Sequence, residues 1–172
     1  AARAVDNQAE CAALLAAAQE LSRKDFAGKT VTLLWDVQEE TGLFGASRMA
    51  ARLEADIVFP VDTFVSSAGP LDGKRFAHLR LGEGPVLRAV DSSSITPRFW
   101  LEKVRAVAAA HGIPLQMGNT RGGNDGSVFV PRGAVNIPLS WPSTYSHSFI
   151  EKIHREDLEN LVRLIVALVR DW

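Results

Sequence analysis

The stretch Thr30–Gly45, TVTLLWDVQEETGLFG, limits what this chain can fold into more than any other. A mostly apolar run from Val31 to Val37 leads into Gln38-Glu39-Glu40, and Thr41-Gly42 and Gly45 then break the pattern. Val, Thr, Leu and Trp packed this densely predict a buried strand of an α/β sheet. Two adjacent carboxylates at the end of such a strand are costly to desolvate unless positive charge stands beside them. A divalent metal would supply that charge, holding one Glu as ligand and leaving its neighbour free as a base. Alternatively, the strand end emerges into water and the pair is merely solvated.

The 172 residues suit one domain with a core of its own. A formal net charge of −1 argues against nucleic acid or an anionic membrane as partner. No apolar run approaches the roughly 20 residues of a membrane span, and the N-terminus lacks a signal-peptide layout. The single Cys11 excludes an intramolecular disulfide and a multi-thiolate zinc site. Carboxylates and histidines must then hold any metal, and a reducing, cytoplasmic location is expected. The opening Ala1-Ala2-Arg3-Ala4-Val5 runs into Asp6-Asn7 as though entered mid-element. The expectation is a portion of a longer catalytic domain.

Along the chain, strand and helix patterns alternate. Asp6-Asn7 precedes a helical pattern over Ala9–Leu21, with Ala12, Leu14, Leu15, Ala18 and Leu21 on its apolar side, so an N-cap role suffices for Asp6. A turn over Ser22–Lys29 leads to the Thr30–Val37 strand. A helix is predicted over Ala46–Leu53, and a short buried strand over Asp56–Asp62. Phe76–Leu81 and Pro85–Val90 read as paired strands about Gly82-Glu83-Gly84. Thr96-Pro97 opens a helix to about His111, with Thr96 as N-cap and Phe99, Val104, Val107 and Ala108 inward. Ile113–Met117 is a strand, Gly118–Gly126 a glycine-rich loop, Ser127–Val130 a helical turn and Ala134–Ser140 a further strand. Trp141–Ser148 is a loop, and Arg155–Val169 a helix with Leu158, Leu161, Leu164, Ile165 and Leu168 on one stripe. The fold class is therefore α/β, a mostly parallel mixed sheet with helices on both faces.

Ligands of such sheets sit outside the carboxyl ends of strands. Glu39-Glu40, Asp62, Asp125 and His147 all follow apolar strands. Carboxylate and imidazole ligands suit hard or borderline divalent cations. A two-metal site needs a bridging carboxylate and a nearby base that does not coordinate. Glu39 and Glu40 can divide those tasks, because successive residues of an extended chain point opposite ways. His78, His111 and His154 read as structural or surface residues, Cys11 as core, and Trp35 and Trp100 as core packing. Trp141, beside the His147 loop, is a candidate wall of a substrate pocket.

The order Asp-Asn near a helix start, Gln-Glu-Glu-Thr-Gly-Leu-Phe-Gly-Ala after a strand, Val-Asp after the next, then Gly-Gly-Asn-Asp and Tyr-Ser-His-Ser, resembles the glutamyl/deblocking (M42) metalloaminopeptidases across essentially the whole chain. The resemblance implies a zinc-peptidase-like fold and a cytosolic dinuclear enzyme that removes N-terminal residues from peptides, often assembled as a dodecamer. It implies two divalent ions, zinc or cobalt. Asp6 would bridge them, Glu39 would be the general base, Glu40 and His147 would ligate one ion, and Asp62 the other. Asp125 would shape the site without ligating, and Tyr145 would lie near the substrate. The family's His-x-Asp segment and dimerisation domain would precede residue 1, so the ion served by Asp62 lacks its imidazole here. Gln8, Asn124 and Thr144 stand where the family usually has Arg, Thr and Arg. Two rival readings follow: a non-catalytic fragment or degenerate subunit, and a related dinuclear amidohydrolase.

Overall fold

In a computed structural model of the protein, residues 1–67 and 79–172 are described. Three helices, α1 (Val5–Glu20), α3 (Arg98–Ala110) and α4 (Arg155–Asp171), pack together against one face of a mixed sheet. α2 (Phe44–Ala50) and the 3-10 turn Asp125–Arg132 lie on the other side of the two-stranded ladder β1 (Ile57–Val58) and β5 (Val135–Asn136). Ile57 faces the large helical core and Val58 the smaller cluster of Ala50, Phe129 and Ala134. Helices thus cover both faces, as expected.

The larger sheet runs β2 (Val61–Val65), β6 (Leu139–Thr144), β3 (Val86–Val90), β4 (Gln116–Asn119), with β7 (Lys152–Ile153) on the end of β6. Pairs β1·β5, β2·β6 and β3·β4 are parallel, whereas β3·β6 and β6·β7 are antiparallel. Period-two alternation divides the sheet chemically. Leu87, Leu139 and Trp141 enter the helical core. Arg88 instead hydrogen-bonds Ser140 and Asp62. The apolar stripe of α4 closes the core with Leu161, Leu164, Ile165 and Leu168, each burial contributing about 1.5–3 kcal/mol.

Several expectations are corrected. Thr30–Val37 forms no strand: it has no regular secondary structure, bends at Val37 and pairs with no strand among the described residues. Trp35 is 44% exposed rather than core, its indole N–H donating to the Cys11 carbonyl. A cavity of about 990 Å³ separates this stretch from β1. Cys11 lines that cavity and is exposed. In α1 the buried positions are Val5 and then Glu10, Ala13 and Ala17, the last three a turn apart, while Leu15 points outward. An alanine-rich helix gives no apolar period, and the close approach of α4 chooses the face. Phe99 is exposed and stacks edge-on against Trp100. Pro97, not Thr96, occupies the N-cap of α3, because the Thr96 hydroxyl donates to the Arg88 carbonyl. Val86–Val90 pairs with β4 and β6, and residues 76–78 of its expected partner, His78 included, lie outside the described residues. The Asp56–Asp62 strand breaks at Pro60, so Asp62 lies within β2 rather than after a strand.

Candidate metal centre

Asp6 stands where α1 begins irregularly: Asp6 and Asn7 have non-helical dihedrals, and no side chain caps the helix. The expected N-cap role therefore does not apply. The Asp6 N–H donates to Glu151 Oε2 at 2.9 Å, and its carboxylate accepts from the Ser146 hydroxyl at 3.2 Å. The other oxygen of Glu151 accepts the His147 N–H at 3.0 Å. One buried carboxylate thus ties the first and last elements of the site together.

His147 Nε2 lies 3.4 Å from Asp6 Oδ2 and 3.3 Å from Glu40 Oε1. Asp6, Glu40 and His147 present one ligand atom each within 4.8 Å of one another, and so do Asp6, Glu10 and Asp62. The two donor sets share Asp6. This mix of carboxylate oxygens and one imidazole fits hard or borderline divalent ions.

Among the described residues, non-glycine positive φ angles occur at Ala4, Gln38, Leu43, Tyr145 and His147, all within three residues of Asp6, Glu39, Glu40 or His147. Such backbone is costly for residues with a Cβ and collects at functional sites. Gly45 lets the Gln38–Leu43 turn close: a Cβ there would stand 2.6 Å from the Val37 N and O.

Like charges dominate the electrostatics. Burial, then the charges of Asp62, Glu40 and Asp6, raise Glu39 to about 7, with Arg88 opposing. Burial, Asp62 and Glu40 raise Asp6 to about 6. Burial and the charges of Asp36, Glu39 and Asp62 push Asp125 up to about 7, and it shares a hydrogen bond with Asp36. Asp125, Glu39 and Asp62 line the larger cavity. A second hollow of about 450 Å³ is lined by Asp6, Glu40, His147 and Phe149.

Tyr145 is exposed on the loop carrying His147. Trp141 is not a pocket wall. It is 0% exposed, lies on β6 rather than in a loop, and packs in the helical core. Sequence reasoning missed Glu10, Arg88 and Glu151. Glu10 is buried against Asp6 and Asp62, and burial above all pushes its carboxyl up to about 11. Asn7 donates to it once its amide is turned to face the carboxyl. The available signal was a charged letter inside an apolar run.

The profile of the M42 glutamyl aminopeptidases matches residues 1–164. A candidate aminopeptidase of Acetivibrio thermocellus is 30% identical over 97% of this chain and 50% of its own length. Lysyl aminopeptidase of Pyrococcus furiosus is 27% identical over 92% of this chain and 45% of its own. Among solved structures, the Pyrococcus horikoshii TET1 peptidase is 38% identical with a TM-score of 0.89, over 100% of this chain and 50% of that one. Aminopeptidase APDkam598 of Desulfurococcus kamchatkensis gives 28% identity and 0.90, over 99% and 49%. The chain spans about half the length of these relatives. With the profile covering nearly every residue, this chain belongs to the M42 glutamyl aminopeptidase family.

Proposed function

We propose that this chain forms part of a dinuclear metal-dependent aminopeptidase. The observation that carries the reading is the pair of donor sets sharing Asp6, a carboxylate placed to bridge two cations. Asp6, Glu40 and His147 would hold one ion, and Asp6 with Asp62 the other. Glu10 belongs to the second donor set by position. When bound, the ions polarise the scissile carbonyl, acidify water and engage the substrate's free amine.

Glu39 is the general base. Its carboxylate lies near Asp62, Glu40 and Asp6, and burial, the largest cause of its raised pKa, favours a carboxyl that can take and hold a proton. It takes a proton from the attacking water and delivers it to the nitrogen of the leaving amine as the C–N bond breaks. Asp125, hydrogen-bonded to Asp36 just upstream of Glu39, holds the far wall of the cavity. Peptides are the substrates. Thr30–Val37, which pairs with no strand among the described residues, accords with further strands of a larger catalytic domain. Assembly as a homo-oligomer, a dodecamer by analogy, is supported by the TET1 peptidase, described as assembling into a tetrahedron or an octahedral shell.

Metal analysis and a substrate panel test the reading. Two ions per chain, hydrolysis of aminoacyl anilides and inertness toward N-blocked peptides are expected. No bound ion would favour the degenerate-subunit reading, and cleavage of blocked peptides the amidohydrolase. Replacing Glu39 with Gln should cut turnover by at least 100-fold and leave metal content unchanged.

A further inference from the structure

Arg88 lies in the apolar run Pro85–Val90 and is 2% exposed. Its guanidinium uses every edge. Nε donates to the Ser140 hydroxyl at 2.8 Å and Nη1 to the Gly123 carbonyl at 2.8 Å. Nη2 donates to Asp62 Oδ2 at 2.7 Å and to the Thr63 carbonyl. Asp91, which accepts from the Asn124 amide, stands 3.8 Å from Nη1. One side chain therefore joins β2, β6 and the Gly122–Asp125 loop.

We propose that Arg88 is a positioning residue that fixes the Asp62 carboxylate for a cation, an assignment resting on the dinuclear reading above. The Asp62 carboxylate is held at both ends: Oδ1 accepts the Thr63 N–H at 2.7 Å, and Oδ2 accepts Arg88. Each oxygen keeps a lone pair free, and the plane of the carboxylate is set. Two effects of Arg88 oppose one another. Its positive charge repels an incoming cation, while its fork removes the rotational freedom Asp62 would lose on binding. Orientation prevails here because Asp91, 3.8 Å from Nη1, also flanks the guanidinium and offsets its charge. A lysine would keep the charge but could not reach four acceptors on three elements at once.

The test is Co²⁺ binding by equilibrium dialysis to the 172-residue chain. A His147→Ala background removes the imidazole of the neighbouring donor set, so residual binding reports Asp62. Adding Arg88→Lys should weaken that binding at least 10-fold, the range seen when groups supporting metal ligands are lost. Ser140→Ala, which keeps the guanidinium and loosens only its Nε, should weaken it by less than Arg88→Lys does. Arg88→Lys in the otherwise unaltered chain should retain the ion of Asp6, Glu40 and His147 at undiminished affinity. A general loss of structure would release both ions together, and that outcome overturns the assignment. Undiminished or tighter binding to the Lys variant does so as well, since charge or competition would then be the whole role. Absence of Co²⁺ from the unaltered chain overturns the metal reading itself and this assignment with it.

Discussion

Glu151 is 2% exposed and accepts two backbone N–H groups, those of Asp6 and His147, at 2.9 and 3.0 Å. Glu151→Gln changes no volume, yet an amide offers one acceptor oxygen where the carboxylate has two. Whichever way it turns, its NH₂ faces one of the two N–H groups. The variant loses one hydrogen bond to a charged acceptor, about 1.5–3 kcal/mol, and leaves a donor without a partner, about 1–3 kcal/mol if water is excluded. Both contacts are only partly buried, so water recovers some of the second cost. The lower end, about 2 kcal/mol, is the expected loss, lowering Tm by about 4–8 °C for a chain of this size. The bridge between Ala2 and Glu151 uses backbone groups and survives. Calorimetry with a chelator present isolates the effect, because bound metal would add its own linkage. A Tm within about 2 °C of the unaltered protein would refute the argument that this carboxylate clamps the two ends of the site.

Other consequences follow from the charges. Glu39 and Asp6 titrate above their ordinary range when folded, to about 7 and about 6, so the folded state holds their protons more tightly than the unfolded chain. The stability each contributes is full below about pH 4 and is lost as pH rises through 6 to 7. Urea midpoints of the metal-free protein should fall over that window, and Glu39→Gln should flatten the profile; an unchanged slope counts against the cause given. Glu10→Gln removes another proton uptake on folding and should raise the urea midpoint at pH 8 relative to pH 5. Trp141→Ala empties a fully buried site in the helical core and should cost about 3–5 kcal/mol; a variant of full stability with altered substrate preference would restore the pocket assignment.

Much of the candidate site was legible because the residues that resemble the M42 family stand in that family's order along the chain. Asp6, Glu40 and His147 meet although 34 and 107 residues separate neighbours in the set (40 − 6 and 147 − 40). The helices of α3 and α4 were legible for a different reason: their apolar residues recur at a period only one regular structure satisfies. Thr30–Val37 shows where that logic stops. Its pattern predicts a buried strand, and no strand forms there. Burial, however, is conferred by a neighbouring strand, and no local pattern contains the neighbour. Trp35 and Val37 stay exposed for that reason.

The charged residues missed in the sequence have one physical cause. Glu10 sits among alanines and Arg88 in an apolar strand, each a lone charge in an apolar setting, and Glu151 stands at the end of one, between Phe149-Ile150 and Lys152. Such a residue either reaches solvent along its stem or is buried with partners, and spacing alone does not choose. Here the choice falls to burial because the partners come from elsewhere: Asp62 and Ser140 for Arg88, the Asp6 and His147 amides for Glu151. A lone buried charge would be too costly to keep, so each of the three marks a place where distant segments converge. All three converge on Asp6 or Asp62. The candidate ligands were thus legible as motifs of the family resemblance, and the residues that support them only as interruptions in or beside the hydrophobic pattern.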